Sequence, residues 1–464
     1  MAARANSTGA GSEAGGEKRD KVAEMDGKAG AGEKKAVATP ALSASLVLLA
    51  PLEKPTADGF DYRVLLLKRH AKSRTYDSAH VMPGGNIDPI DQDATTWSSF
   101  FPSVAQDTIQ RSTDSSALTA PELQALKLCA LRETFEESGL LLRDPNPEPG
   151  PAVGLNSSVL ASLIKRVVPT GQGADHSKKE GTPPQRWSAL SPEKKLYWRE
   201  EVHRDGKRFV DLLRSLGNNA RPALSLLTHW SNWVTPTQLP RRFDTHFFIA
   251  VLPPAASPLV NPSAAAVPTA STPTLESLVS SDGTETTSAD WLTPGEGVRR
   301  ALAQHSSLAP GSGSGSGAAE SELSPIILFP PQFNLFAELA QNHPTLSSLL
   351  DRSRSDSKHD SLLVKPRRVI PWVPQASAVV DDQGWKRRAM VLPGDEAYEY
   401  ADPADKGLSQ PGQRNRTYVF PPTKGQQGLA VQGCLRRGVQ TTLGPGWEDM
   451  SAGDSGVSSA TAKL

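Results

Sequence analysis

Three glutamates within five residues, in the stretch ALRETFEESGLLL, are the part of this sequence best suited to chemistry. On a helical wheel at about 100° per residue with Glu133 at zero, Glu137 falls at about 40° and Glu136 at about 300°, so the carboxylates share one wedge. Leu128, Leu131 and Phe135 fall on the opposite side and are expected to bury against a sheet. Such a face can simply be solvated. Yet like charges at these spacings repel by a few tenths of a kcal/mol per pair, and only Arg132 stands beside them to compensate. A divalent cation would convert that repulsion into binding, and hard oxygen donors in this number suit Mg2+ or Mn2+.

The element that must carry these residues is a helix opened by Pro121-Glu122 and ended at Gly139, with proline in the first turn and glycine just past the last. Ahead of it, Leu42 to Leu49 and Tyr62 to Lys68 read as a hairpin feeding the Pro83-Gly84-Gly85 turn in MPGGNIDPIDQ. Residues 1–40 mix Gly, Ala, Lys and Glu without apolar periodicity and are expected to be a disordered leader. One catalytic domain is expected over 41–345. Within it lie an insertion at 92–120, a helical insertion at 144–230 and flexible Pro/Ser/Gly-rich loops at 253–284 and 306–322. A β-rich extension over 346–450 and a flexible tail over 451–464 follow. Trp372, Tyr398 and Tyr418 in that extension are expected in its core.

Composition narrows the function classes. Among 464 residues, Lys+Arg and Asp+Glu balance at 50 each and no basic run is interleaved with aromatics, which argues against a nucleic-acid partner. The longest apolar run, near SLVLLAP, is far too short to span a bilayer, and no apolar signal segment follows Met1. Two cysteines, Cys129 and Cys434, cannot form a disulfide framework and fit a reducing compartment. Ala462-Lys463-Leu464 keeps the small, basic, Leu pattern of the Ser-Lys-Leu peroxisomal address, so a peroxisomal location and an import receptor as partner are expected.

Gly85, five residues, Asp91, and then Arg132-Glu133-Thr134-Phe135-Glu136-Glu137-Ser138-Gly139-Leu140 together resemble the Nudix box, G-x5-E-x7-R-E-U-x-E-E-x-G-U, where U is bulky and apolar. Asp91 stands where the pattern has Glu, Thr134 where it has an apolar residue, and 40 residues separate Asp91 from Arg132 where seven are usual. A long insertion at this point is similar to that of the peroxisomal coenzyme A diphosphatases. SAHVMPGGNID, TPTQLPRRFDTHFF, ADWLTPGEGVRRAL and LFPPQFNLFAEL also look like that subgroup. The resemblance implies an α/β (α+β) Nudix fold, with a mixed β-sheet sandwiched between helices, and metal-dependent hydrolysis of coenzyme A or acyl-CoA to 3′,5′-ADP and (acyl-)4′-phosphopantetheine.

It also implies roles. Glu136 and Glu137 would be metal ligands, Glu133 a further ligand or the base that activates water, and Arg132 the group that orients Glu133. The Gly85 carbonyl and Glu285, ahead of Trp291, would add ligands. Arg69 and Arg74 match arginines of the signature upstream of the box in CoA-cleaving relatives, where they would bind the substrate's 3′-phosphate; His70, Ser78, His80 and Met82 depart from that signature. The same site could serve NADH or another nucleoside diphosphate derivative, and a non-catalytic Nudix binding module is a third reading. Cys129 has no Cys-His arrangement around it and reads as structural.

Overall fold

The computed structural model describes residues 38–70, 79–101, 118–143, 187, 190–217, 220–237, 239, 241–252, 279–281, 285–308, 324–349, 368–369, 379–380, 386–398, 411–419 and 431–437. Arg74, Trp372, the expected leader to residue 37 and the tail at 451–464 lie outside them. All described residues belong to one unit, Ala38–Leu464.

In chain order the elements are β1 (Ala41–Pro51), β2 (Tyr62–Arg69), β3 (His80–Val81), β4 (Gly84–Asn86), a 3-10 turn (Pro89–Gln92), α1 (Ala94–Ser98) and α2 (Ala120–Ser138). Then come α3 (Pro192–Arg204), α4 (Lys207–Ser215), β5 (Thr228–Val234), β6 (Phe243–Val251), β7 (Thr286–Leu292), α5 (Pro294–Leu308) and α6 (Pro330–Asn342). Short strands β8 (Arg368–Val369), β9 (Val379–Val380), β10 (Lys386–Arg387) and β11 (Ala389–Val391) precede β12 (Arg414–Val419) and β13 (Val431–Arg437). Strands β1 to β8 make one mixed sheet along β3-β2-β1-β6-β5-β8, with β4 on β1 and β7 on β2; β11-β12-β13 make another.

Strands β1 and β2 are buried on both faces, as their near-continuous apolar runs require. Val47, Leu49, Val64, Leu66 and Ile249 face α5 and α6, while Leu46, Leu48, Leu65, Leu67 and Phe248 face α2. Helix α2 is itself covered on its outer side: Leu128 and Phe135 pack with Trp97 of α1, Val202 of α3, and Phe209 and Leu213 of α4. This corrects the expectation that Leu128, Leu131 and Phe135 all bury against the sheet. Only Leu131 does, because the inserted helices offer a second apolar surface and α2 is sandwiched between the two.

Two expected boundaries move. Strand β5 begins at Thr228, inside the 144–230 stretch, because Thr228 and His229 already pair with Ile249 and Phe248 of β6, and α5 runs to Leu308, three residues into the 306–322 stretch. In the extension Tyr398 and Tyr418 are buried, and Leu392, Val431 and Cys434 join the core that α5 and α6 form with the sheet. Among the described residues no helix is long and apolar enough to cross a membrane.

Candidate functional site

The site begins with a gap between two strands. β1 pairs with β2 only at Leu49–Pro51, and towards its start it pairs with β4 instead, Ser43–Ser45 against Asn86–Gly84. β2 in turn takes β3 at Leu67 and Lys68. The strands therefore splay, and Met82-Pro83-Gly84 crosses from one to the other, tied by the Leu46 amide to the Pro83 carbonyl at 2.8 Å. Gly84 is required by the backbone beside it, and Gly85 leaves room for a neighbouring side chain. A Cβ on Gly84 would stand 2.4 Å from the Ala44 carbonyl oxygen, and one on Gly85 would stand 2.5 Å from the Glu133 carboxyl carbon. The space that a side chain on Gly85 would take is filled by the Glu133 carboxylate.

Helix α2 brings its acids to this turn because its ends are firmly set. Thr119 and Glu122 form a capping box at the start, and Gly139 closes the end with φ 75°. Glu137 Oε2 accepts the Gly84 amide at 3.0 Å. Arg132 lies at the centre: its Nη1 donates to Glu133 Oε1 at 2.9 Å and Glu136 Oε1 at 2.7 Å, and its Nε and Nη2 grip Asp91 at 3.1 and 2.8 Å. Asp91 thus holds the arginine from the 3-10 turn just after the glycines.

One guanidinium serves three carboxylates here, and Glu137 adds a fourth. Burial pushes the Glu133 and Glu136 carboxyls up to about 7, against the pull of Arg132, and pushes Glu137 well above the usual carboxylate range. Among the described residues no three His, Cys, Asp or Glu side chains close on a single point, so the carboxylates do not converge as the wheel suggested. Arg132 has drawn Glu136 to itself while Glu133 and Glu137 stay at the glycine turn. In donor chemistry the set fits a hard divalent cation: buried carboxylates, too few cations, and a turn kept clear of side chains.

Glu285 directly precedes β7, its carboxylate 3.8 Å from Arg69 Nη2 and its carbonyl accepting the His70 amide at 2.8 Å. Its charge disfavours ionisation of Glu136 and Glu137, and that of Arg69 favours ionisation of Glu137, so both lie within electrostatic reach of the helix end. Cys129 is fully buried, its thiol 3.5 Å from the Gly85 carbonyl and 3.3 Å from that of Asn86; burial raises its pKa, which does not suit a nucleophile.

Two site residues escaped the sequence reading. From α3, Arg199 Nε donates to the Glu136 carbonyl at 2.6 Å, and His203 Nδ1 lies 3.5 Å from Glu136 Oε2. The i, i+4 spacing in YWREEVHR was the available signal, since it puts both on one helix face.

A mixed sheet clasped by helices, with the acidic end of one helix held against a double-glycine turn, is the build of a Nudix domain. A family model described as the NUDT19 Nudix domain matches residues 35–312, more than half of the chain, and the chain belongs to that family. It is 32% identical over 258 residues to a Xenopus laevis protein named acyl-coenzyme A diphosphatase NUDT19, covering 51% of this chain and 54% of that one. The Homo sapiens protein of that name is 31% identical over 237 residues, 45% and 52% of the two chains. The Gallus gallus one is 27% identical over 362 residues, 73% of each. The chain thus aligns with about half the length of the frog and human relatives. A solved Nudix hydrolase from Alicyclobacillus acidocaldarius matches loosely, with 20% identity and a TM-score of 0.38 over 68% of this chain and 97% of that one. Nudix hydrolases generally use divalent metals.

Proposed function

We propose that the chain is a divalent-metal-dependent diphosphatase that hydrolyses coenzyme A and acyl-CoA to 3′,5′-ADP and (acyl-)4′-phosphopantetheine. The observation that carries this reading is the set of buried, under-compensated carboxylates at the Gly84–Gly85 turn. The names of the frog, human and chicken relatives support the substrate.

Arg132 occupies Glu133 Oε1, which leaves Oε2 to accept the proton of the attacking water. Mg2+ or Mn2+, held by Glu136, Glu137, the Gly85 carbonyl and Glu285, with Glu133 a further ligand where it does not act as the base, would neutralise the non-bridging diphosphate oxygens. Water adds to one phosphorus, the bridging P–O bond breaks, and the leaving phosphate carries away the bridging oxygen. Arg69 at the end of β2 and Arg74 beyond it bind the 3′-phosphate.

Purified protein is incubated with CoA, an acyl-CoA, dephospho-CoA and NADH in Mg2+ or Mn2+, beside a Glu136→Gln variant, and the products are separated. Release of 3′,5′-ADP by the wild type and not by the variant is expected, with dephospho-CoA the poorer substrate. Cleavage of NADH alone would discard the substrate, and inactivity on all four would favour a binding module. We also propose a peroxisomal location through Ala462-Lys463-Leu464. Residues 451–464 fused to a fluorescent protein should direct it to peroxisomes and lose that ability without Leu464; a diffuse signal from the intact peptide would refute it.

A further inference from the structure

We propose that Arg199, on the inserted helix α3, is a positioning residue of the hydrolase site, setting the last turn of α2 from which Glu136 and Glu137 project. A helix leaves its final carbonyls without intrahelical partners. In α2 the Gly139 amide still reaches the Phe135 carbonyl at 2.8 Å, but the Leu140 amide turns to the Ser138 hydroxyl at 3.2 Å, so the Glu136 carbonyl needs a donor from elsewhere. Arg199 Nε supplies it at 2.6 Å.

The same guanidinium reaches a third segment. Its Nη1 donates to Ser280 Oγ at 3.0 Å and to the Ser281 carbonyl at 3.1 Å, and the Ser280 amide caps the Ser138 carbonyl at 3.1 Å. Ser280 and Ser281 lie a few residues ahead of Glu285, so one side chain joins the acidic helix end, the inserted helix and the approach to β7. Arg199 is itself buried, at 6% exposure, and a cation at a helix C-terminus is favoured by the helix dipole. One turn later on α3, His203 stands beside the Glu136 carboxylate. The insertion is therefore part of the site.

This inference rests on the proposed diphosphatase reading, so its test includes a measurement that does not need turnover. Mn2+ binding is followed by calorimetry, and hydrolysis of acyl-CoA by initial rates, for the wild type, Arg199→Lys, Arg199→Ala and Ser280→Ala. Partners that orient ligands typically matter by about 10- to 100-fold in metal affinity or activity. Arg199→Lys, which keeps the charge but cannot span all three acceptors, is expected to fold, to weaken Mn2+ binding about ten-fold and to lower kcat about ten-fold or more with KM within about two-fold. Ser280→Ala should show the same pattern more weakly. Wild-type Mn2+ affinity and kcat in Arg199→Lys, with only a lowered Tm, would overturn the proposal, and Arg199→Lys decides the matter even if Arg199→Ala does not fold. Failure of the wild type to cleave acyl-CoA would remove the substrate reading and leave the Mn2+ comparison intact.

Discussion

Arg132 and Arg416 are both nearly inaccessible, at 4% and 2% exposure, and both grip an aspartate with two hydrogen bonds, yet their surroundings are opposite. Arg416 of β12 grips Asp395 through Nε at 2.8 Å and Nη2 at 2.7 Å. The remaining capacity of Asp395 is filled by the Asn415 amide at 2.7 Å and the Ala397 amide at 2.9 Å. Both oxygens of this single carboxylate are thus filled by one guanidinium and two amides. Arg132 instead holds Asp91, Glu133 and Glu136 with Glu137 close by, and the surplus is negative. Burying unbalanced charge opposes folding, so the first arrangement is what a fold needs and the second is what a cation-dependent site needs.

The sharpest way to break that comparison is to remove one acid from each network. Glu136→Gln is expected to lower kcat by about 10²- to 10⁴-fold, the range for a group acting on the reacting atoms, without loss of stability. Asp395→Asn should leave kcat per folded molecule unchanged. Its effect belongs in urea denaturation, where removing the charge that faces the buried Arg416 guanidinium should lower stability by about 3–5 kcal/mol. A loss of activity with Asp395→Asn, or of stability with Glu136→Gln, would erase the distinction.

A smaller effect should appear with pH. The Glu133 and Glu136 carboxyls are raised from about 4.5 to about 7 in the fold, so their contribution to stability is complete below about pH 4.5 and is lost as the pH rises through about 7. Metal-free protein should therefore lose on the order of 2 kcal/mol between pH 5 and 7.5, and Glu133→Gln should flatten that slope. Mg2+ should raise Tm more at pH 7.5 than at pH 5, since it competes with protons for the same oxygens. A slope unchanged by Glu133→Gln would mean that these carboxyls do not carry it.

The two networks also differ in how far they could be read beforehand. Helix α2 was legible because its signals are local: Pro121 in the first turn, Gly139 past the last and acids at three- and four-residue spacing. The Gly85 turn and Glu133 were legible as a pattern, although no periodicity reveals that one carboxylate fills the space of the other's missing side chain. The direction in which Phe135 points was not legible, because the surface covering it comes from α1, α3 and α4. Arg199 and His203 escaped for the same reason, lying 63 and 67 positions beyond Glu136 on a helix whose amphipathic character alone names no partner. Asp395 and Arg416 are 21 residues apart, one just after β11 and the other on β12, and neither sits in a recognisable motif.

The smallest expected effect lies where the acidic helix departs from its own pattern, at Thr134. The pattern calls for a bulky apolar residue there, and the structure shows why threonine is tolerated. The side chain is fully buried, and its hydroxyl donates to the Ala130 carbonyl at 2.6 Å, one turn back on the same helix. That bond satisfies the hydroxyl without taking any group from the site, and back-bonding of this kind slightly weakens a helix. Thr134→Val removes the donor and its need together, leaving no buried polar atom alone. Stability should change by less than about 1 kcal/mol, kcat should stay within about two-fold, and the Glu136→Gln deficit should be the same in either background. A ten-fold fall in kcat from the valine alone would place the Thr134 hydroxyl in the network around Arg132 and show that the charge surplus reaches the helix side facing the sheet.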